Sequence, residues 1–196
     1  MKLLRTSLLI AALAMSLSAA SLADQIITFE GYSDLTVFTS QYPGVNFNGA
    51  TVLQLGGTLN PQFPPHSGIN VVYNPIGPMT IDFANPVAYF SGYFTYNQGL
   101  TIQAYDALSN LLGSYTSLCS ANYVGAGQGC SPNELGIVTA AGISSVVITG
   151  GGGNNFTLDD AQFTGSINTV PEPGTLVMLA SGLVGAAGYV RRKFLV

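Results

Sequence analysis

Between residues 25 and 165 the chain repeats one theme: a short run of β-branched, aromatic and aliphatic residues, then a cluster of Gly, Pro, Asn and Ser. The runs are "QIITFE", "ATVLQL", "INVVYN", "MTIDFA", "VAYFSGYFTY", "LTIQAYD", "LLGSYTS", "ISSVVITG" and "FTLDDAQFTG". In "LTIQAYD", Leu100, Ile102 and Ala104 fall on one side and Thr101, Gln103 and Tyr105 on the other. That is the two-residue period of a strand with one buried and one wetted face. No segment here holds a helical period over three turns. Such strands, broken by "NPQFPPHSG" and "YNPIGP", predict an all-β, jelly-roll-like antiparallel β-sandwich, with an immunoglobulin-type Greek key as the alternative. "AYDALSNLLGSY" reads as a hairpin turning at Leu108-Ser109-Asn110. "TGGGGNN" (149–155) reads as a hairpin connection, because it lacks the Lys and the following helix of a phosphate loop.

The two ends break the pattern. "MKLLRTSLLIAALAMSLSAASLAD" opens on Lys2 and Arg5, continues through an apolar core too short to span a bilayer, and reaches Ser21-Leu22-Ala23. These are the three regions of a secretory signal peptide over 1–23, cut after Ala23. At the other end an uncharged apolar stretch, 175–190, precedes Arg191, Arg192 and Lys193. Sixteen helical residues reach about 24 Å against a hydrocarbon core of about 30 Å, and snorkelling cations extend the span. The reading is a single transmembrane helix that leaves 191–196 as a basic cytoplasmic tail and places the domain outside.

Charge sharpens this division. All five basic residues lie in the end segments. Between Asp24 and Val170 there are eight acids (Asp24, Glu30, Asp34, Asp82, Asp106, Glu134, Asp159 and Asp160) and no Lys or Arg. A domain of charge −8 has nothing to neutralise phosphates, which excludes nucleic acid as a partner. The expected organisation is signal peptide 1–23, β-sandwich domain 24–167, linker 168–174, helix 175–190 and tail 191–196. In an oxidising compartment, Cys119 and Cys130 across the Gly-rich "SANYVGAGQG" predict a disulfide.

Pro171-Glu172-Pro173, the apolar run and the basic end, in that order at the C-terminus, resemble the PEP-CTERM sorting signal of exported bacterial proteins. The resemblance implies removal of the helix by an exosortase-type protease. It also implies prior handling by signal peptidase and the export machinery, and a place at the cell surface or in an exopolysaccharide or biofilm matrix. Two prolines hold the motif extended, as a protease cleft requires. The order "ITFEG … MTIDFANPVAYFSGYF … LTIQAYDALSNLLGSY … GISSVVITG … FTLDDAQF" resembles galactose-binding-like, carbohydrate-binding-module-like jelly rolls. In such folds the first and last strands meet and acids there often hold structural calcium. Glu30, Asp159 and Asp160 are the residues for such a Ca²⁺ site, with a cation the obvious counter-charge for a domain lacking Lys and Arg.

Candidate chemistry beyond this is thin. Tyr89 and Tyr93 should share one face of a strand, about 13 Å apart, a spacing that suits two sugar rings. Ordinary strand filling, for which Tyr has high propensity, is the preferred reading, and the absence of Trp weakens the case for a sugar platform. His66, the single histidine, lies in a Pro-rich loop with no acid or nucleophile near it in sequence, and reads as a surface residue. No catalytic residue is assigned. The leading expectation is a non-catalytic exported protein with weak affinity for exopolysaccharide. A purely structural matrix protein and a secreted glycan hydrolase are the alternatives.

Overall fold

A computed structural model describes residues 24–151 and 155–164. The signal peptide, the Pro171-Glu172-Pro173 linker, the apolar helix and the basic end at Arg191, Arg192 and Lys193 lie outside the described residues. The described chain is all β, with ten strands: β1 (Asp24–Ile27), β2 (Val37–Phe38), β3 (Val45–Asn48), β4 (Ala50–Gln54), β5 (Asn70–Tyr73), β6 (Met79–Tyr96), β7 (Leu100–Tyr105), β8 (Leu111–Thr116), β9 (Glu134–Gly150) and β10 (Phe156–Thr164). Every pairing is antiparallel. The order is β2-β4-β5-β10-β6-β9-β7-β8, with β1 on β10 and β3 on β6.

Two long strands make a sandwich from this single sheet. The first part of β6 (79–82) pairs with β9 at 145–148, and its last part (89–94) pairs with β9 at 134–139; between them the register shifts. The shift falls at Ala84, Asn85 and Pro86, all exposed. Pro86 has no N–H to give a ladder, so the strand bends there instead of continuing flat. The sequence reading took this "ANP" as a break between two strands; it is a bend within one. The folded sheet closes around one core that draws on both long strands, including Phe29, Phe38, Phe47, Ile81, Phe90, Phe94, Ile102, Ile148 and Phe156, each at most 2% exposed.

Close approach inside the sandwich depends on two glycines. Gly92 and Gly136 face each other across β6 and β9. A methyl group on Gly136 would sit 2.7 Å from Ile102 Cδ1 and 3.0 Å from the Phe94 ring, and one on Gly92 would overlap Leu158. Only hydrogen fits.

The expected alternation in β7 is present, with Leu100, Ile102 and Ala104 buried and their neighbours half-exposed. The β7–β8 hairpin also forms. Its turn is organised by Asp106, whose carboxylate accepts the N–H groups of Leu108 and Asn110, while Ser109 takes a positive φ of 62°. The 149–155 hairpin is corrected: β9 and β10 are not neighbours, because β6 lies between them. β2, β3 and the first half of β9 are strands the sequence pattern did not reveal.

Candidate functional site

Four strands build the outer face that matters here. The register places Ile26, Gln162, Ser91 and Ile137 side by side across β1, β10, β6 and β9. Tyr89 stands opposite Thr139 on one side of that row, and Tyr93 opposite Leu135 and Asp159 on the other. Inward-facing Phe90 and Phe94 are fully buried, so Tyr89, Ser91 and Tyr93 lie on the outer side of β6. Ile26, Leu135 and Ile137 are about half exposed. The face is therefore apolar and uncharged along its middle. Tyr89 and Tyr93 do share it, as expected. The Tyr89 hydroxyl bonds Asp24, and burial together with that carboxylate pushes it up to about 12.

Tyr93 is not open, however. A strap formed by residues 58–69 crosses above it. Pro61, Pro64 and Pro65 keep this segment extended and short of donors, and the Asn60 side chain and carbonyl cap its start through Gln62 and Phe63. The strap ends in a dense set of contacts. His66 lies on Tyr93 with ring centroids 3.4 Å apart and planes 6° from parallel. The backbone N–H groups of His66 and Ser67 both donate to Asp159 Oδ2, at 2.7 and 2.8 Å. His66 Nδ1 meets Asp160 Oδ2 at 2.7 Å, and Ser67 Oγ donates to Asp160 Oδ1 at 2.8 Å. Further along, Ile69 and Asn70 donate to Glu30 Oε1, at 2.9 Å each. Gly68, at φ +55°, allows this; a methyl there would overlap the Glu30 carboxylate.

Asp159 is 1% exposed. Burial raises its proton affinity to about 6, with the Asp160 charge adding to the effect and the N–H groups of Ser67, Asp160 and His66 opposing it. Asp160 adopts φ +46° where β10 breaks register between Asp159 and Gln162. A non-glycine residue held there is a strained position, kept by the contacts it makes. The reading of His66 as a loop residue without a nearby acid is therefore corrected: Asp160, 94 residues along the chain, is its partner. Sequence offered no signal for this pair beyond the uniqueness of the histidine.

The expected calcium set does not assemble. Glu30, Asp159 and Asp160 all reach the strap, but each is spent on protein donors, and no three His, Cys, Asp or Glu side chains among the described residues are placed to hold a metal ion. Backbone N–H groups supply the counter-dipole that a cation was expected to provide. The set does not fit calcium. Nor do Ser67, His66 and Asp160 form a nucleophilic relay. Ser67 donates to the carboxylate, so the acid bridges hydroxyl and imidazole, whereas nucleophilic activation needs a direct bond from hydroxyl to base.

The strap is anchored at its other end by the disulfide loop. Cys119 and Cys130 are joined, with Cα atoms 6.6 Å apart. Inside the loop Asn122, fully buried, bonds the backbone of Phe94 and Tyr96, so the loop is stitched to the end of β6. Phe63 stacks on Tyr123 at 6.0 Å, and Val124 donates to the Gln62 carbonyl. Glu134 accepts hydrogen bonds from the hydroxyls of Tyr96 and Tyr115 and from the N–H of Leu118. Burial, and then the bond to Glu134, push Tyr96 up to about 12. An open cleft beside the strap, between Glu30, Tyr32, Asp34 and Gln54, is likewise tied internally. Asp34 accepts from Gln54 and Thr58, and Asn70 bridges Gln54 to the carbonyls of Phe29 and Tyr32.

Outside the described residues, positions 169–193 match the PEP-CTERM protein-sorting motif. The chain is exported and sorted to the envelope. No curated protein matches it. Among solved structures it is similar to the module CsCBM6-3 of Clostridium stercorarium in complex with cellobiose, at 13% identity and TM-score 0.38, over 69% of this chain and 99% of that one. It is also similar to TmCBM61 in complex with β-1,4-galactotriose, at 13% identity and TM-score 0.39, over 66% and 100%. A third is the catalytic domain of a GH87 α-1,3-glucanase in complex with tetrasaccharides, at 15% identity and TM-score 0.35, over 70% of this chain and 29% of that one. None is close enough to carry a function across.

Proposed function

We propose that this protein binds a neutral, hydroxyl-rich polysaccharide of the envelope or matrix on the outer face of β1, β10, β6 and β9, without cleaving it. The observation that carries the reading is the composition of that face: a tyrosine, an aromatic stack and half-exposed Ile26, Leu135 and Ile137, interleaved with Thr139 and Gln162. Apolar and aromatic surfaces pack against the C–H faces of sugar rings, and small polar side chains meet their hydroxyls. The domain's charge of −8 repels anionic polymers. Processing by an exosortase at the Pro171-Glu172-Pro173 end belongs to the same proposal, since it would leave the domain free outside the cell. A glycan array probed with the exported protein and with Tyr89→Ala tests it. Neutral glycans should be retained by the wild type and weakened by the variant. A blank array would leave the structural matrix role, and binding indifferent to Tyr89 would move the glycan site off this face.

A further inference from the structure

We infer that His66, rather than Tyr93, is the ring this face presents to its ligand, and that His66 Nε2 accepts a hydroxyl proton from it; the inference rests on the polysaccharide reading above. Tyr93 has one ring face against the imidazole at 3.4 Å, so a sugar cannot stack there. The imidazole has one face on Tyr93, and its side chain is 36% exposed.

His66 could instead be a removable cover over Tyr93. Its anchoring argues against that. The backbone that carries the ring is fixed, because the N–H groups of His66 and Ser67 both donate to buried Asp159, so the ring could move only by rotating its own side chain. That rotation would break both the Asp160 contact and the stack on Tyr93. A ring held by this many independent contacts is pre-organised rather than poised to move, and pre-organisation lowers the cost of binding.

The tautomer follows from the same geometry. A carboxylate only accepts, so Nδ1 carries the proton in the bond to Asp160, and when the imidazole holds that one proton Nε2 keeps its lone pair. The ring therefore offers ligand an aromatic face and an acceptor edge. With no Lys or Arg anywhere between Asp24 and Val170, the surrounding charged groups are also acceptors. The ligand class this selects is one that donates: neutral sugar hydroxyls.

Two measurements on the exported protein test the inference. Photo-CIDNP NMR reports which His and Tyr rings are open to a flavin dye, and one histidine makes the assignment unambiguous. His66 should be polarised and Tyr93 silent, and a neutral hexaose of glucose, galactose or mannose should quench the His66 signal. Titration of the same hexaoses into His66→Ala should show affinity lower by about three- to tenfold, with His66→Phe falling between the variant and the wild type because it keeps the ring and loses the acceptor. Binding by His66→Ala at wild-type strength or better, with Tyr93 now polarised, overturns the inference and makes His66 a cover. Loss of binding in Tyr89→Ala but not in His66→Ala overturns it while the polysaccharide reading stands. No binding of any hexaose by the wild type, with His66 polarised and unquenched, brings down both.

Discussion

Asp159 gives the sharpest stability prediction. Its ordinary carboxyl value is 3.8, and in the folded protein burial raises it to about 6. The folded state thus holds a proton that the unfolded chain has already released. Between about pH 4 and pH 6 the folded form binds more protons, so stability falls as pH rises through that window. The contribution is complete below 3.8 and gone above about 6. The gap corresponds to about 3 kcal/mol at most, and to about 1–2 kcal/mol once screening by nearby solvent is allowed for. Asp34 and Asp106 do not confuse the window. For Asp34, burial pushes upward but hydrogen bonds from Thr58, Gln54 and Leu35 pull it below 3.8; for Asp106, bonds from Asn110 and Leu108 do the same. Their contributions are lost only as pH falls below that value.

The perturbation is Asp159→Asn. An amide oxygen can still accept from His66 and Ser67, but it carries no charge to titrate, and its NH₂ leaves the Asp160 N–H without an acceptor. Urea unfolding of wild type and variant at pH 4, 5, 6 and 7, in chelator, gives the stability difference at each pH. That difference should shift by about 1–2 kcal/mol against the wild type between pH 4 and pH 7. A difference that stays flat, or moves in favour of the wild type, would refute the reasoning. Added calcium sharpens the test. A bound ion would depress Asp159 and reverse the sign, so a wild type stabilised by calcium as pH rises would restore the ligand set Glu30, Asp159 and Asp160.

Other expectations are simpler. Gly136→Ala should destabilise by about 1–3 kcal/mol in urea, because its methyl meets Ile102 and Phe94 in a filled core. Reduction of Cys119–Cys130 should cost about 2–3 kcal/mol by the loop-entropy argument and loosen the strap through Phe63 and Val124, which would show as faster amide exchange at residues 62–67. Added salt should raise the melting temperature, since it screens repulsion among eight carboxylates while the described residues hold no Lys or Arg pair for it to weaken. Intact-mass analysis of the exported protein should find a new C-terminus near Pro171-Glu172-Pro173, and retention of Val196 would count against processing.

Much of the fold could be read from alternation because buried strands declare themselves locally. β7 and its hairpin with β8 needed only six alternating residues and the turn at Leu108-Ser109-Asn110. Pairing of β1 with β10 followed from the expected architecture. The failures share a cause. Pro86 and Gly136 look like breakers in a linear reading, yet Pro86 sits at a bend that tolerates a missing donor and Gly136 at a crossing that excludes a side chain. "ELGIV" was passed over because its glycine and half-exposed Leu135 and Ile137 carry no clean period. The site was harder still. Tyr89 and Tyr93 could be placed on one face by counting in twos, but nothing in "PPHSG" says that the strap returns across Tyr93, or that Asp160 will twist to φ +46° to receive His66. Such contacts are set by tertiary closure.

The absence of cations from this domain looks at first like a problem of solubility, and the hydrogen bonds show it to be a principle of construction. Glu30 fastens Ile69 and Asn70, Asp34 fastens Gln54 and Thr58, and Asp106 fastens Leu108 and Asn110. Glu134 gathers two tyrosines and Leu118, while Asp159 and Asp160 hold the strap. Each acid pins a loop by accepting from backbone or hydroxyl donors, which is a charge-assisted bond that needs no partner side chain of opposite sign. A Lys or Arg near any of them would compete for the carboxylate and release the loop. The same choice leaves an outer surface whose charged groups accept hydrogen bonds and do not attract an anion. Construction and selectivity are then one constraint: the carboxylates that hold the loops in place also decide that whatever docks beside them must bring its own donors.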